Sequence, residues 1–394
     1  MPIWKKAIED ALVVTKRNIE RFDGRFPHVS VGGKQYTLND NTEWTAGFWS
    51  GILWLASEYS DDPIFRSSAE GTVRNFRNRM DRKIVFDHHD IGFLYSLSSK
   101  AQWILERDED ARSLTLEAAE LLMKRWRERI GIIQAWGRED DEENGGRIII
   151  DCMLNIPLLF WAYEQTGEPR YLRVAKAHAA KSQRFLVRGD GSSYHTFYFD
   201  RKNGDAIRGG THQGYADGST WTRGQAWGIY GFALAARYLN DSGLLDTAAR
   251  MALYFAEHLP EDKVAYWDFD APVTPGTKRD SSASAIAACG MLEIISQLGD
   301  DDPRSAALRD TAQASMESLV RDYSTQGSEE EQGLIKHGSY SVRGGDSPDD
   351  YVIWGDYYYL EALMRLEREI PGYWYERTST LLPSKPPLAN HSSS

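Results

Sequence analysis

The sequence predicts an all-α protein, an (α/α)6 barrel in which six helical hairpins close into a toroid. Three observations lead there. Two kinds of helical segment alternate along the chain, the turns joining them resemble one another, and the last apolar helix is as apolar as those in the middle.

The first kind of segment is amphipathic. In the stretch from Pro63 to Asp81, Phe65, Ala69, Val73 and Phe76 recur at helical spacing among charges; from Pro169 to Arg188, Tyr171, Val174, Ala175 and His178 do the same. The second kind is apolar nearly all round: FWSGILWLA (48–56), MLNIPLLFWA (153–162), AWGIYGFALAA (226–236) and SAIAACGMLEII (284–295). A helix of that kind must be covered on every side, which makes it an inner helix. Each inner helix runs out into an acidic or glycine-containing turn: SEYSDDPIF, LERDEDARS, YEQTGEPRY, YLNDSGLLD and QLGDDDPRS. Acidic residues and proline suit the first turn of the outer helix that follows. The turns recur at roughly 50 to 75 residues, longer than most solenoid repeats. A further apolar helix at 351–366 brings the count to six hairpins. An open solenoid would end in polar caps, and this helix is not polar, so the ring is expected to close. Almost no segment reads as a strand. Pro157 falls inside an expected helix, where it costs a hydrogen bond and bends the axis. The expected organisation is one catalytic domain over 1–380, followed by a disordered Pro- and Ser-rich tail over 381–394.

Bulk properties narrow the function. Hydrophobic content of 41% and charged content of 26% are those of a soluble globular protein. The net charge of −12 disfavours nucleic acid and anionic membranes as partners, while leaving room for a small anion in a locally basic cleft. The N-terminus lacks the apolar run of a signal peptide, and no stretch approaches the roughly 18 uncharged apolar residues of a membrane span. The two cysteines, Cys152 and Cys289, read as buried residues of a reducing compartment, so a cytoplasmic location is expected. Oligomeric state is not readable. The 13 Trp and 20 Tyr exceed what a core of this size needs, and many lie beside polar residues in loops.

Those loops share one place in the repeat, just before an inner helix: 38–44, 87–90, 134–151, 208–225, 277–282 and 347–356. In a toroid they converge on one rim, where helix N-termini also favour an anion. Helix capping explains their Asp and Ser but not their Trp and His. In DHHD (87–90), Asp90 stands at a helix start, as an N-cap or as a site carboxylate. A metal held by His88, His89, His195 and His212 is an alternative, but no HxH or HxxxH spacing supports it. Asp151 lies between the apolar runs RIII and CMLNIPLLFW. Burial there raises a carboxyl pKa and suits a general acid, with an N-cap again the plain alternative. Trp44, Trp136, Trp221, Trp227 and Trp354 supply flat faces for sugar rings, and Arg223, Gln213, Gln225 and His195 supply donors for hydroxyls and a carboxylate. Phosphate-loop, dinucleotide and nucleophile-elbow motifs are absent.

The runs NDNTEWTAGFWSGILWL, DHHDIGFLYSLSSKAQW, GIIQAW, ENGGRIIIDC, IRGGTHQG, DGSTWTRGQAWGIYGFAL, RDSSASAIAACG and PDDYVIWGDYYYLEAL closely resemble the unsaturated glucuronyl hydrolases of glycoside hydrolase family 88, over nearly the whole chain. The resemblance implies the same barrel and substrates left by polysaccharide lyases, oligosaccharides with a C4=C5 double bond in a terminal uronate. It implies that Asp151 protonates C4 and activates a water for C5, with Asp90 positioning ring and water. It places sugar contacts at Trp44, His89, Trp136, His195, Gln213, Trp221, Arg223, Trp227 and Tyr340, and implies no metal or organic cofactor. Members preferring sulfated fragments carry a Ser- and Lys-bearing loop near the C-terminus. Here SYSVRGGDSPDD (339–350) has no Lys and is acidic, so unsulfated substrates are expected. The rival readings are an unsaturated rhamnogalacturonyl hydrolase, an inverting glycosidase with Asp151 as acid and Asp90 as base, and a non-catalytic sugar binder.

Overall fold

The structure, a computed structural model, describes residues 3–377; the tail expected over 381–394 lies outside them. Six outer helices alternate with six inner ones. In chain order, α1 (Ile3–Phe22) is followed by α2 (Ala46–Tyr59), and α3 (Pro63–Asp81) by the short consecutive pair α4 (Ile91–Ser96) and α5 (Ser99–Glu106). Then α6 (Glu109–Met123) precedes α7 (Pro157–Thr166), and α8 (Pro169–Leu186) precedes α9 (Thr222–Leu239). The last couples are α10 (Ser242–His258) with α11 (Ser281–Leu298) and α12 (Pro303–Ser318) with α13 (Ile353–Arg368). The ring closes where α13 meets α2: the Phe48 ring lies 5.7 Å from Tyr357 and 5.8 Å from Tyr358.

Four of the five turns cap the outer helix that follows, and Glu168 before α8 does not. Asp62 accepts from the amide of Ile64, Asp108 from Ala111, Asp241 from Gly243 and Leu244, and Asp302 from Arg304. Such caps contribute about 1 kcal/mol each. The inner helices differ: Thr45, Asp90, Trp221, Asp280 and Val352 precede them without any side-chain cap bond. The carboxylate of Asp90 is therefore not consumed by capping.

Neighbouring inner helices touch through backbone. A Cβ on Gly47 would fall 2.1 Å from the carbonyl oxygen of Phe93, and one on Gly92 2.4 Å from Cα of Asn155. Helix α11 is long and apolar enough to cross a membrane by length and composition, although Glu293 interrupts it, and 78% of it is buried inside the protein. It is an inner helix covered by α9, α10, α12 and α13. Cys152 and Cys289 are both buried and unpaired.

Two expectations are corrected. Pro157 is the first residue of α7 and is preceded by a 3₁₀ turn over Ile150–Leu154, so no interior helix bond is lost. Short strands do occur, all in loops on the rim that precedes the inner helices. β1 (Phe26–Ser30) pairs with β2 (Tyr36–Asn39), and β3 (Trp126–Arg127) with β4 (Ile132–Ile133). β5 (Arg147–Ile149), β6 (Thr196–Phe199) and β7 (Ala206–Gly210) form an antiparallel sheet in that order.

The opposite end is closed by residues 373–377. The Trp374 carbonyl accepts from Lys100 Nζ (2.5 Å) and Tyr238 Oη (2.9 Å), its indole donates to Glu361 (3.0 Å), and its ring lies parallel to Tyr358. Glu376 accepts from Trp103, Arg107, Trp161 and Gln165. The ring is thus a cup with one open mouth.

Candidate active site

The mouth holds a cavity of about 200 Å³ lined by residues from the rim loops. Asp90 and Asp151 face it from two segments that one side chain ties together. Asn155, at the end of the 3₁₀ turn, accepts the Phe93 amide on Oδ1 (2.8 Å). Its Nδ2 reaches Oδ1 of Asp90 (3.4 Å) and the carbonyl of Asp151 (3.2 Å). The close approach at Gly92 lets the two segments come this near. On the other flank the His89 amide donates to the Ala135 carbonyl (2.9 Å), which sets DHHD beside Trp136. The Ile150 amide donates to the His195 carbonyl (3.0 Å), which sets Asp151 beside His195.

The two carboxyls are driven apart in acidity. Burial, reinforced by the negative charge of Asp90, raises Asp151 to about 8. Its Oδ1 is buried without a hydrogen-bond partner. Burial acts on Asp90 in the same sense, but the adjacent His89 and His88 rings and the Asn155 amide outweigh it and hold Asp90 below the ordinary carboxylate range. At neutral pH the pair therefore consists of one acid and one carboxylate, the division of labour that acid–base catalysis needs.

At pH 7 His89 and His195 are neutral. Burial pulls His89 down to about 4 and His195 well below its ordinary value. Nδ1 of His195 accepts the amides of His212 (3.1 Å) and Gln213 (3.3 Å), so its proton sits on Nε2. That nitrogen lies 3.9 Å from Oδ1 of Asp151 and has no hydrogen-bond partner. Nδ1 of His89 is likewise buried and unpartnered. A buried polar atom left unpaired costs on the order of 1–3 kcal/mol, so two in the cavity wall with a third behind them mark a place prepared for a polar ligand.

Arg223 is 1% exposed. Its Nη1 donates to Asp280 (2.5 Å) and to the Ser339 carbonyl, and its Nη2 to the Tyr340 carbonyl (2.6 Å). The guanidinium also lies over the rings of Trp221 (4.5 Å) and Trp354 (5.1 Å). It therefore draws the 339–350 loop over the cavity, its charge paired with that of Asp280. Gln213 Nε2 donates to the same Tyr340 carbonyl (2.8 Å).

Of the thirteen residues expected from sequence, ten line the cavity: Asp90, Asp151, Trp44, His89, Trp136, Gln213, Trp221, Arg223, Trp227 and Tyr340. His195 stands behind Asp151. Trp354 does not line the cavity: its side chain is fully buried, its indole donates to Ser282 (3.0 Å), and it backs Trp44 at 5.2 Å between rings. Gln225 is likewise buried, held by Ser193, Gly191 and Met251. Sequence reasoning named His212 only as a possible metal ligand and missed Ser341 and Asp346, all three of which also line the cavity, and Asn155 behind it. His212 shares the THQG turn with Gln213, and Ser341 and Asp346 share a loop already singled out, so position in those loops was the available signal. Among the described residues no group of three or more His, Cys, Asp or Glu side chains is placed to hold a metal.

The profile of Glycosyl Hydrolase Family 88 matches residues 18–368. The chain belongs to glycosyl hydrolase family 88. It is 64% identical over 375 residues to the unsaturated glucuronyl hydrolase of Bacillus sp. (strain GL1), covering 95% of this chain and all of that one. The crystal structure of that Bacillus protein, described as responsible for the degradation of glycosaminoglycan, superposes with a TM-score of 0.94 over the same shares. A solved structure with dGlcA-Glc-Rha-Glc, 64% identical, matches at the same TM-score, again over 95% of this chain and all of that one. The unsaturated chondroitin disaccharide hydrolase of Streptococcus pyogenes serotype M1 is 42% identical, covering 94% of this chain and 92% of that one. This family 88 enzyme is a glycosidase on an all-α barrel.

Proposed function

We propose that the enzyme hydrates the C4=C5 double bond of a terminal unsaturated glucuronate, with Asp151 as acid and base and Asp90 as the positioning carboxylate. The observation that carries this is the split in acidity between two neighbouring buried carboxyls. Asp151 delivers its proton to C4, and positive charge develops at C5 and the ring oxygen beside the ionised Asp90. Water adds at C5 and returns a proton to the Asp151 carboxylate. The C5 hemiketal opens to a ketone, C1 becomes a hemiacetal, and its collapse to an aldehyde releases the second sugar. One water is consumed and Asp151 ends as it began. Its raised pKa suits both proton transfers near neutrality. Trp44, Trp136, Trp221 and Trp227 offer apolar faces to the ring, while His89, Gln213 and Arg223 offer donors to its carboxylate and hydroxyls and His195 stands behind Asp151.

The substrates of the relatives are unsaturated uronate-terminated sugars, and those of this enzyme are taken to be the same, from disaccharides to longer chains. Unsulfated forms are preferred. Tyr340, Ser341 and Asp346 bring the acidic 339–350 loop to the cavity wall. A carboxylate about 4 Å from a sulfate costs on the order of 1–4 kcal/mol between water and a protein surface. A cytoplasmic location fits substrates this small.

The test is incubation with unsaturated chondroitin disaccharide, following loss of the conjugated double-bond absorbance, with a saturated glucuronide in parallel. Wild type should consume only the unsaturated sugar, and Asp151→Asn should consume neither. Turnover that survives Asp151→Asn, or hydrolysis of the saturated glucuronide, would overturn the assignment. Better turnover of a 6-sulfated disaccharide than of its unsulfated form would overturn the sulfation preference.

A further inference from the structure

A row of alternating aromatic and cationic side chains leaves the cavity along the β5–β6–β7 sheet. Trp136 forms part of the cavity wall. The Arg147 guanidinium lies 4.6 Å from the Trp136 ring and 5.1 Å from that of Tyr198, and the Arg208 guanidinium lies 4.6 Å from Tyr198 on the far side. The row follows from strand register: Arg147 is the cross-strand partner of Tyr198, and Tyr198 of Arg208, so all three side chains share one face. The next residues along, Ile148, Phe197 and Gly209, take the other face, where Phe197 packs on Phe185 of α8. Exposure rises along the row, from Arg147 at 4% to an Arg208 side chain at 55%. His212, another cavity residue, follows two positions after β7.

Arg147 has its own partners, Thr196 (3.0 Å) and Asn144 (3.2 Å). Among the described residues, the one polar side-chain contact of Arg208 is an exposed one to Asp217 at 3.3 Å, worth little in water. Stacking on Tyr198 nevertheless holds its planar fork in place, leaving donors for a bidentate anion. A cation fixed outside the cavity does not serve the double bond held within it. It fits a group further along the chain.

We infer that Arg208, braced by Tyr198, forms an outer subsite for the carboxylate of a uronate two sugars beyond the cleaved bond's unsaturated end, so that the enzyme recognises longer anionic oligosaccharides as well as disaccharides. This rests on the proposed hydration of unsaturated uronates. The subsite acts on ground state and transition state alike, so it lowers KM and leaves kcat unchanged.

The experiment compares wild type, Arg208→Gln and Arg208→Glu on three unsaturated substrates. These are a chondroitin disaccharide, a hyaluronan tetrasaccharide whose third sugar is a glucuronate, and dGlcA-Glc-Rha-Glc, whose third sugar is neutral. In Arg208→Gln, KM for the hyaluronan tetrasaccharide should rise about three- to fivefold, the size of one exposed charge pair, with kcat unchanged. In Arg208→Glu it should rise further. The disaccharide and the neutral tetrasaccharide should respond to neither substitution. An unchanged KM for the hyaluronan tetrasaccharide, or equal losses on all three substrates, would overturn the subsite. Failure of wild type to turn over the disaccharide would instead overturn the reading on which it rests.

Discussion

The two ends of the barrel bury charged groups in opposite ways. At the closed end, Glu361 accepts from Tyr230, Arg365 and Trp374, and Glu293 from Arg237, Arg365 and Tyr375. At the mouth, Asp151 Oδ1, His89 Nδ1 and His195 Nε2 have no partner. Both ends are built from the same inner helices, one from their C-terminal halves and the other from the loops at their N-termini. The charged groups of the closed end are paired and hold the fold together. The mouth is left unsatisfied, and the stability given up there becomes acidity and binding capacity.

The sharpest break of this comparison is Asp151→Asn. Activity should fall by about 10³-fold or more, the scale of general acid–base catalysis, while Tm rises. The sign follows from linkage. The folded pKa of Asp151, about 8, lies above the ordinary 3.8, so its contribution to stability is full below about pH 4 and is lost as pH rises toward about 8. Asparagine carries no such loss, and scanning calorimetry at neutral pH checks it. The closed end should respond oppositely. Trp374→Ala should cost about 3–5 kcal/mol in denaturant unfolding, and kcat/KM of the fraction still folded should stay near wild type.

A smaller effect is expected between the two regions. Asn155→Ala removes the tie between the carboxylate segments, so kcat should fall about 10- to 100-fold with KM little changed, as steady-state kinetics would show. Smallest is the pH response of wild type. kcat/KM should decline as pH rises through about 8, where Asp151 loses its proton, and should hold at mildly acid pH because Asp90 stays ionised below the ordinary carboxylate range. A decline that begins instead near pH 5 would place the critical proton elsewhere.

The rim was legible in sequence because six loops with Trp, His and Asp recur at one point of a repeat, and a repeat fixes which end of the barrel they share. What failed was direction. Trp354 occupies the same place as Trp44, but at the start of α13 it turns inward onto Ser282 and supports Trp44 from behind. Asn155 was hidden inside an apolar run, and only the close approach of α4 gives it meaning. The strands are two to five residues long, too short to show an alternating pattern, and their pairing spans up to 51 residues between β5 and β6. The plug at 373–377 was unreadable for the same reason: every partner of Trp374 and Glu376 lies far away along the chain or on another helix.

The central claim is that the mouth keeps one carboxyl protonated at neutral pH beside another that is ionised. Infrared difference spectroscopy between wild type and Asp151→Asn at pH 7 tests it most directly. A carbonyl band of a protonated carboxyl should be present in wild type, absent in the variant, and lost as pH rises through about 8. Identical carboxylic-acid bands in the two proteins at pH 7 would contradict the account.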